Sequence, residues 1–379
     1  MAYIFVCASR HKCTACFKQY KKKEHLIEHM KVSCHSAHEP KCGVCQKHCK
    51  SYESLREHLT GPLAKANCST IFADRGCKLC LKLFDTPSSL SEHREVCCLN
   101  GPAPLGTMKM PHTNSQRDVD ISTSMNGFCS TIAPEAIALD CEMVGGGSDG
   151  SLDLCARVCL VDEDEKLVFH AYVLPQIPVT DYRSEVTGIT EEHLKDAMPL
   201  TEVQEKVLRI LYNGESIGKA RLDGGKARLL VGHSLENDLD CLRMSYPDHL
   251  LRDTAKYRPL LKTNFSSHSL KYLTREYLGQ MFLHGRKIAI LHDMYDIQLG
   301  VHDPYEDCVS VMRLYKRMRS QDHQLEGIES SSANQHSQGF GNVFETWKPN
   351  EMKQMMPNEL VAVSKSNYRC WCLDSLLKS

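Results

Sequence analysis

Four acids and one histidine, spread over 168 positions, are the side chains in this sequence best spaced to do chemistry together. Asp140 and Glu142 interrupt the near-continuous apolar run Ala136-Ile137-Ala138-Leu139-Asp140-Cys141-Glu142-Met143-Val144 at positions i and i+2. In a strand both project from one face, and a continuous apolar run is how a strand buried on both faces reads. Like charges side by side on such a face are costly unless a cation lies between them. The plain alternative is one salt-bridged acid beside another at the strand end.

The second acid source is Leu229-Leu230-Val231-Gly232-His233-Ser234-Leu235-Glu236-Asn237-Asp238-Leu239-Asp240-Cys241-Leu242. Ser234 suits an N-cap, and Leu235, Leu239 and Leu242 make the core stripe of the helix that follows. Asp238 falls inside that stripe, whereas Glu236 and Asp240 fall outside it. A buried acid needs a partner: a metal ion, or the cation of a structural salt bridge. The third source is His302-Asp303-Pro304-Tyr305-Glu306-Asp307. Pro304 suits the first helical position, with Asp303 as N-cap and Glu306 in a capping-box place. Asp307 shares a face with Val311 and Leu314 and is driven inward, while His302 stands on the loop just before.

Oxygen ligands suit Mg²⁺ or Mn²⁺. Two such ions ~4 Å apart can stabilise both the attacking and leaving oxygens of an in-line phosphoryl displacement. An imidazole with an ordinary pKa near ~6.5 can accept a proton from the attacking water.

A different metal chemistry occupies the first hundred residues. Cys13-x2-Cys16, Cys42-x2-Cys45 and Cys77-x2-Cys80 are each followed, after twelve residues, by a histidine: His29, His58 and His93. A leucine stands three positions before each (Leu26, Leu55, Leu90), and Tyr20 and Phe84 fill the aromatic position that Cys49 takes in the second unit. The spacing predicts small ββα zinc fingers at 13–35, 42–68 and 77–98, each closed by a tetrahedral ion around a core too small to fold alone. The expected fourth ligands are His35 (or Cys34), Cys68 and Cys98 (or Cys97). The base-reading positions are Lys22, His25 and Glu28; Ser51, Ser54 and Glu57; and Thr86, Ser89 and Glu92. They hold no Arg for guanine and include three acids that repel phosphate, which disfavours sequence-specific DNA reading. Lys21-Lys22-Lys23 suits non-specific phosphate contact, a solvated face or a nuclear-import signal.

These sites need a frame to position them. Strands are predicted at 136–144, 153–161, 167–174 and 228–232, with an extended piece at 249–254. Helices are predicted near 201–212, 235–245, 269–278 and 304–319. That order implies an α/β layer fold with a mixed sheet over 135–319. Residues 99–134 read as a flexible linker. Residues 320–379 read as a low-complexity tail ending in Tyr368-Arg369-Cys370-Trp371-Cys372, for which the sequence offers no role. The chain holds 46 Lys/Arg and 47 Asp/Glu, but residues 1–100 hold 16 against 9 and the remainder 30 against 38. A basic head on an acidic body suggests polyanion binding beside cation collection. Met1–Ser9 lacks the features of a secretory signal and no run reaches membrane-spanning length, so twenty cysteines in a reducing compartment predict metal rather than disulfides. Gly145-Gly146-Gly147 and Gly214-x3-Gly218-Lys219-Ala220 both fail the phosphate-loop pattern.

Leu-Asp-Cys-Glu-Met-Val, Gly-His-x4-Asp-Leu and His-x4-Asp resemble the three motifs of the DEDDh 3′→5′ exonucleases, in the branch of RNA exonuclease 4 and the interferon-stimulated exonucleases. Asp181-Tyr182-Arg183, Gly188-Ile189-Thr190, Arg252-Asp253-Thr254 and Ser269-Leu270-Lys271-Tyr272-Leu273 stand between them in family order. The resemblance covers roughly 136–318. It implies an RNase H-like fold with a five-stranded mixed sheet and flanking helices. Asp140, Glu142 and Asp307 would hold the ion that activates water, Asp140 and Asp238 the second, and His302 would be the base. By the same resemblance Met143 would contact the terminal nucleotide and Arg183 the ribose, favouring RNA through its 2′-hydroxyl. Asp303-Pro304-Tyr305 departs from the small or hydroxyl residues usual there. Fingers joined to such a nuclease resemble an arrangement common in plant relatives.

The expectation is a 3′→5′ exoribonuclease that releases nucleoside 5′-monophosphates from single-stranded 3′ ends, with two Mg²⁺ or Mn²⁺ in the nuclease and Zn²⁺ in the fingers. The fingers would tether nucleic acid or a protein partner, and the location would be the nucleus or nucleolus, with the cytoplasm as alternative. DNA is the competing substrate. A zinc-finger binding protein with an idle nuclease fold is the competing class.

Overall fold

The computed structural model describes residues 10–97, 135–222, 224–278, 282–283, 286–287, 297–298, 300–321, 348–364 and 366–375. The expected linker at 99–134 and the Cys98 ligand lie outside them. The chain divides into two compact units. One comprises the described parts of 1–90, 258–266 and 322–370; the other comprises those of 91–257, 267–321 and 371–379.

The head begins with a small hairpin, β1 (His11–Lys12) and β2 (Gln19–Tyr20), followed by α1 (Lys23–Ser33). Helix α1 ends because Cys34 takes a left-handed conformation (φ 48°) and returns its N–H to the Met30 carbonyl. Helices α2 (Tyr52–Thr60), α3 (Ala66–Arg75) and α4 (Pro87–Cys97) follow. Ser51 starts α2 by accepting the Ser54 N–H. Leu26, Leu55 and Leu90 are all buried, as their place before each histidine requires.

The sheet of the second unit is built on β3 (Ala136–Gly146), β4 (Leu152–Asp162), β5 (Leu167–Leu174), β6 (Val179–Asp181), β7 (Met198–Pro199), β8 (Leu229–Gly232) and β9 (Leu251–Asp253). Its order is β7-β5-β4-β3-β8-β9, with β6 also paired to β3. Strand β3 runs antiparallel to β4 and parallel to β8, so it sits in the middle of a mixed sheet. The five strands expected from the sequence are β3, β4, β5, β8 and β9. The two additions, β6 and β7, are three and two residues long and carry too little pattern to be read.

Between them lie α5 (Ser184–Thr187), α6 (Glu191–Leu194), α7 (Leu200–Tyr212), α8 (Leu235–Cys241) and α9 (Leu270–Tyr277). The pair β10 (Phe282–Leu283) and β11 (Arg286–Lys287) precedes α10 (Pro304–Arg319). Pro304 opens α10 and Asp303 caps it by accepting the Tyr305 N–H. Val309, Val311, Met312, Leu314 and Tyr315 are buried on α10, which packs against β3 and β4.

Two sequence expectations change at α8. The helix stops at Cys241, short of 245, because Arg243 adopts a left-handed φ of 51°. Ser234 is itself left-handed (φ 61°) and its side chain caps nothing. The Asp253 carboxylate, from β9, accepts the Ser234 and Leu235 N–H groups instead, placing negative charge at the positive end of the helix.

The tail is also more ordered than its composition suggests. Helices α11 (Pro349–Gln354) and α12 (Pro357–Ala362) bury Met352 and Leu360 in one core with Cys13, Ala15, Leu26, Ile27 and Met30 of the first finger. In the second unit Trp371 stacks on Tyr257 with ring centroids 3.8 Å apart, and meets the edge of Tyr315 at 5.4 Å. Asp374 receives Arg252 through Nε at 2.7 Å and Nη2 at 2.8 Å, and Tyr315 Oη donates to it at 3.1 Å. Arg252 and Asp374 are 3% and 1% exposed, a bidentate pair with almost no water. Removing one partner strands the other charge. Asp374→Ala should therefore destabilise the second unit by roughly 3–5 kcal/mol. A chemical-denaturation curve of the full chain with a loss below ~1 kcal/mol would show that the pair does not anchor the tail.

Candidate active site and metal clusters

Asp140 and Glu142 leave one face of β3 near the middle of the sheet. The register slips between Glu142 and Met143, where β4 contributes one extra residue, and Met143 is half-buried beside this bulge. Asp238 comes from α8 and is 4% exposed; its Oδ1 accepts the Cys141 backbone N–H at 2.9 Å. Asp307, also 4% exposed, comes from the first turn of α10, and its Oδ2 accepts from Gln298 Nε2 at 3.0 Å. Helix capping and the strand pleat thus bring the four acids together from three elements.

Electrostatics shows how closely they meet. Burial, followed by the charges of Asp307, Asp238 and Glu142, raises Asp140 well above the carboxylate range. Glu142 is pushed up to about 8 by burial and then by Asp307, against the pull of Arg157. Burial raises Asp238 well above its ordinary value, and takes Asp307 to about 7 against the Gln298 hydrogen bond. Glu306, which the sequence places in a capping box, is half-buried and raised to about 7 by burial, Asp303 and Asp307, so it borders the acid cluster.

The donor set fits divalent cations. All four groups offer carboxylate oxygens, and Asp307 Oδ1 is buried with no hydrogen-bond partner. An orphaned acceptor among like charges is a place for a cation rather than a proton donor.

His302 is half-buried on the loop before α10, and its backbone N–H donates to the Val186 carbonyl at 2.7 Å. Burial, and then Lys271, lower its pKa from the usual value, keeping the ring neutral near pH 7. Arg183, expected at the ribose, donates to Asp153 at 2.7 Å and to the Gly150 carbonyl at 3.0 Å. It braces the loop after β3 and stands at the start of α5, the helix whose Val186 holds His302.

In the head, the ligand atoms of Cys13, Cys16, His29 and His35 lie within 4.8 Å of one another, as do those of Cys42, Cys45, His58 and Cys68. A tetrahedral zinc ion with ~2.3 Å bonds to sulfur sets thiolates roughly 3.8 Å apart, so both groups are compatible with zinc. His35 rather than Cys34 joins the first group: its Nδ1 pairs with Glu39 Oε2 at 2.9 Å, whereas the Cys34 thiol donates to the Lys31 carbonyl at 3.4 Å. His29 is oriented by Ser33 Oγ at 2.7 Å from its Nδ1, leaving Nε2 3.2 Å from Cys16 Sγ. Cys68 stands on α3, which explains its unusual distance from His58: a second helix brings its thiol to the second group. The division between units falls inside α4, so Cys77 and Cys80 belong to the first unit and His93 and Cys97 to the second. The side chains missed by sequence reasoning are Gln298 and Asp253, both held by long-range contacts that no local period signals.

Part of this chain is similar to known proteins. Residues 137–309 match the model of the RNase_T family, described as Exonuclease. Human RNA exonuclease 4 is 36% identical over 187 residues, covering 49% of this chain and 37% of the relative. RNA exonuclease 4 of Saccharomyces cerevisiae is 35% identical over 201 residues, covering 52% of this chain and 60% of the relative. The matched segment thus spans less than two thirds of either relative. Among solved structures, the Neurospora crassa Pan2 catalytic unit (protease and nuclease domain) is similar at TM-score 0.38 and 20% identity, covering 52% of this chain and 28% of that one.

Two outcomes follow from these sites. Carboxylates whose folded pKa is raised favour folding at low pH, and that contribution is lost as pH rises from their unfolded values near ~4 through about 7 and 8. Without divalent ions the melting temperature should fall between pH 6 and 8.5, by ~2–4 °C per kcal/mol lost in a domain of this size. Added Mg²⁺ should restore more at pH 8.5 than at 6; an equal shift at both would mean that the acids do not share the ion. Separately, Cys68→Ala should lower zinc content by one equivalent per chain by atomic emission. An unchanged content would remove Cys68 from the ligands.

Proposed function

We propose that the domain spanning 135–319 is a divalent-metal-dependent 3′→5′ exoribonuclease that releases nucleoside 5′-monophosphates, with the zinc clusters tethering nucleic acid or a protein partner. The observation that carries this reading is the convergence of four carboxylates around a buried, unpartnered Asp307 oxygen, with His302 held beside α10. The resemblance of the same residues to RNA exonuclease 4 supports RNA as the substrate.

Asp140, central to the cluster, is assigned to both cation positions, with Glu142 and Asp307 completing one and Asp238 the other. Ions held by these carboxylates would supply charge neutralisation for an in-line displacement at phosphorus. Neutral His302 accepts the proton of the attacking water at a ring nitrogen. The water oxygen joins the terminal phosphorus, the bond from phosphorus to the penultimate 3′ oxygen breaks, and that oxygen takes a proton from solvent to become the hydroxyl of the shortened chain. Because burial and Lys271 depress the His302 pKa, the base stays unprotonated and competent down to a pH below ~6.5. Gln298 and the Cys141 N–H hold Asp307 and Asp238 in place through the reaction.

Incubation with 5′-labelled single-stranded RNA and Mg²⁺ should give a ladder shortened one nucleotide at a time, with no shortening when divalent ion is omitted. Asp140→Ala should cut the rate by ~10²–10³-fold or more while zinc content stays unchanged. Intact RNA from folded, zinc-loaded protein would leave the nuclease fold idle. Faster digestion of matched single-stranded DNA would make DNA the substrate.

A further inference from the structure

Behind the four acids lies a second group of ligand atoms that the proposed chemistry does not use. Cys141, Cys155 and Cys241 place their sulfurs within 4.8 Å of one another, and all three residues are under 10% exposed. They come from three elements: Cys141 from β3, Cys155 from β4 and Cys241 from the end of α8. Each has a fixed neighbour. The Cys155 thiol donates to the Arg157 carbonyl at 3.9 Å, the Cys241 thiol donates to the Asp238 carbonyl at 3.2 Å, and the Cys141 N–H holds Asp238 Oδ1.

Buried cysteines are often no more than small apolar fillers. Two observations separate this trio from that role. Three thiols from non-adjacent positions converge on one point, and a small cavity is lined by two of the three residues. That cavity, of about 20 Å³, is lined by Cys155 and Cys241 together with Asp153, Leu174, Gln176 and Arg243. Its size suits one small species, since a single water needs ~10–15 Å³. The ligand set also selects the ion. Zinc in proteins almost always takes four ligands, as the groups of the head offer, whereas this group offers three sulfurs alone. Soft thiolates without nitrogen or oxygen donors favour Cu(I) over Mg²⁺, Mn²⁺ or Ca²⁺.

We propose that Cys141, Cys155 and Cys241 form a trigonal all-sulfur site for Cu(I), entered through the cavity beside Arg243. Copper–sulfur bonds form as thiol protons leave to solvent, copper remains Cu(I), and no electron is transferred. An ion there joins β3, β4 and α8, the elements that carry Asp140, Glu142 and Asp238. Strand alternation puts Cys141 on the opposite face from its two acidic neighbours, so copper and the carboxylate-bound ions do not compete for donors.

The test uses the full-length, zinc-loaded chain under anaerobic conditions, titrated with Cu(I) supplied as its bicinchoninate complex. Wild type should take up one Cu(I) that displaces no zinc, and X-ray absorption should show three sulfurs around it. Its melting temperature should rise on loading. Cys155→Ala and Cys241→Ala should each bind one Cu(I) equivalent fewer than wild type at unchanged zinc content. Copper uptake matched one for one by zinc release would overturn the proposal, as would equal uptake by wild type and a folded variant. Cys241 ends a helix whereas Cys155 lies inside the sheet, so Cys241→Ala keeps the comparison available if Cys155→Ala does not fold. Should neither fold, wild-type uptake without zinc release decides the question, and its absence refutes the site.

Discussion

Mutual repulsion among four largely buried carboxylates is the constraint around which the second unit is arranged. The fold brings Asp140, Glu142, Asp238 and Asp307 together from β3, α8 and α10 and answers them mainly with neutral donors. Asp238 receives a backbone N–H and Asp307 a side-chain amide, each satisfying one oxygen. Arg157 lies opposite Glu142 in the ladder and tempers its charge, but its Nη2 also pairs with Asp303 at 3.4 Å. A buried Lys or Arg among the four would relieve the strain permanently and close the site to metal. Hydrogen bonds from neutral groups fix the carboxylates in place while leaving negative charge for a divalent ion.

The same unit does contain a fully neutralised buried charge, and its position is instructive. Arg252 sits on β9 and is closed by Asp374 and Tyr315, with Trp371 stacked on the Tyr257 ring and set edge-on to Tyr315. Its neighbour Asp253 points its carboxylate at the N-terminus of α8. Consecutive residues of one short strand thus anchor the end of the chain and orient the helix that supplies Asp238. Alternation along a strand is what lets adjacent residues serve opposite faces. The rigidity of the acid cluster rests partly on this pair of side chains, neither of which touches it.

What was legible in the sequence follows from which forces act locally. The five principal strands and α10 were readable because apolar runs, Pro304 at the first helical position and the Asp303 cap are all written within a few residues. Asp238 and Asp307 stood apart from nearby acids for the same reason: helix faces are a local property. Ser234 misled because an N-cap assignment assumes extended backbone, and its left-handed φ becomes visible only once β9 delivers Asp253 to the helix end. The tail misled because its polar composition hides two apolar anchors, Met352 and Leu360, whose partners lie more than 300 positions earlier in the first finger. Cys68 was legible only as an anomaly of spacing. The helix that carries it supplies the explanation.

Ligand type, rather than affinity, sorts the metals within this chain. Sulfur and imidazole nitrogen converge in the head, where an ion held by them would close cores of a few residues. Carboxylate oxygens converge on β3, where the sheet already provides the frame. A zinc ion drawn to the acids would meet neither thiolate nor a preformed tetrahedron, and Mg²⁺ drawn to the fingers would meet no oxygen set. Cys141 lies between two of those acids in sequence, yet the pleat turns its side chain to the other face. One residue of offset therefore separates a hard-metal surface from a soft-donor one. A one-residue slip of β3 would exchange them, which makes the antiparallel register with β4 as important to metal selection as the ligands themselves.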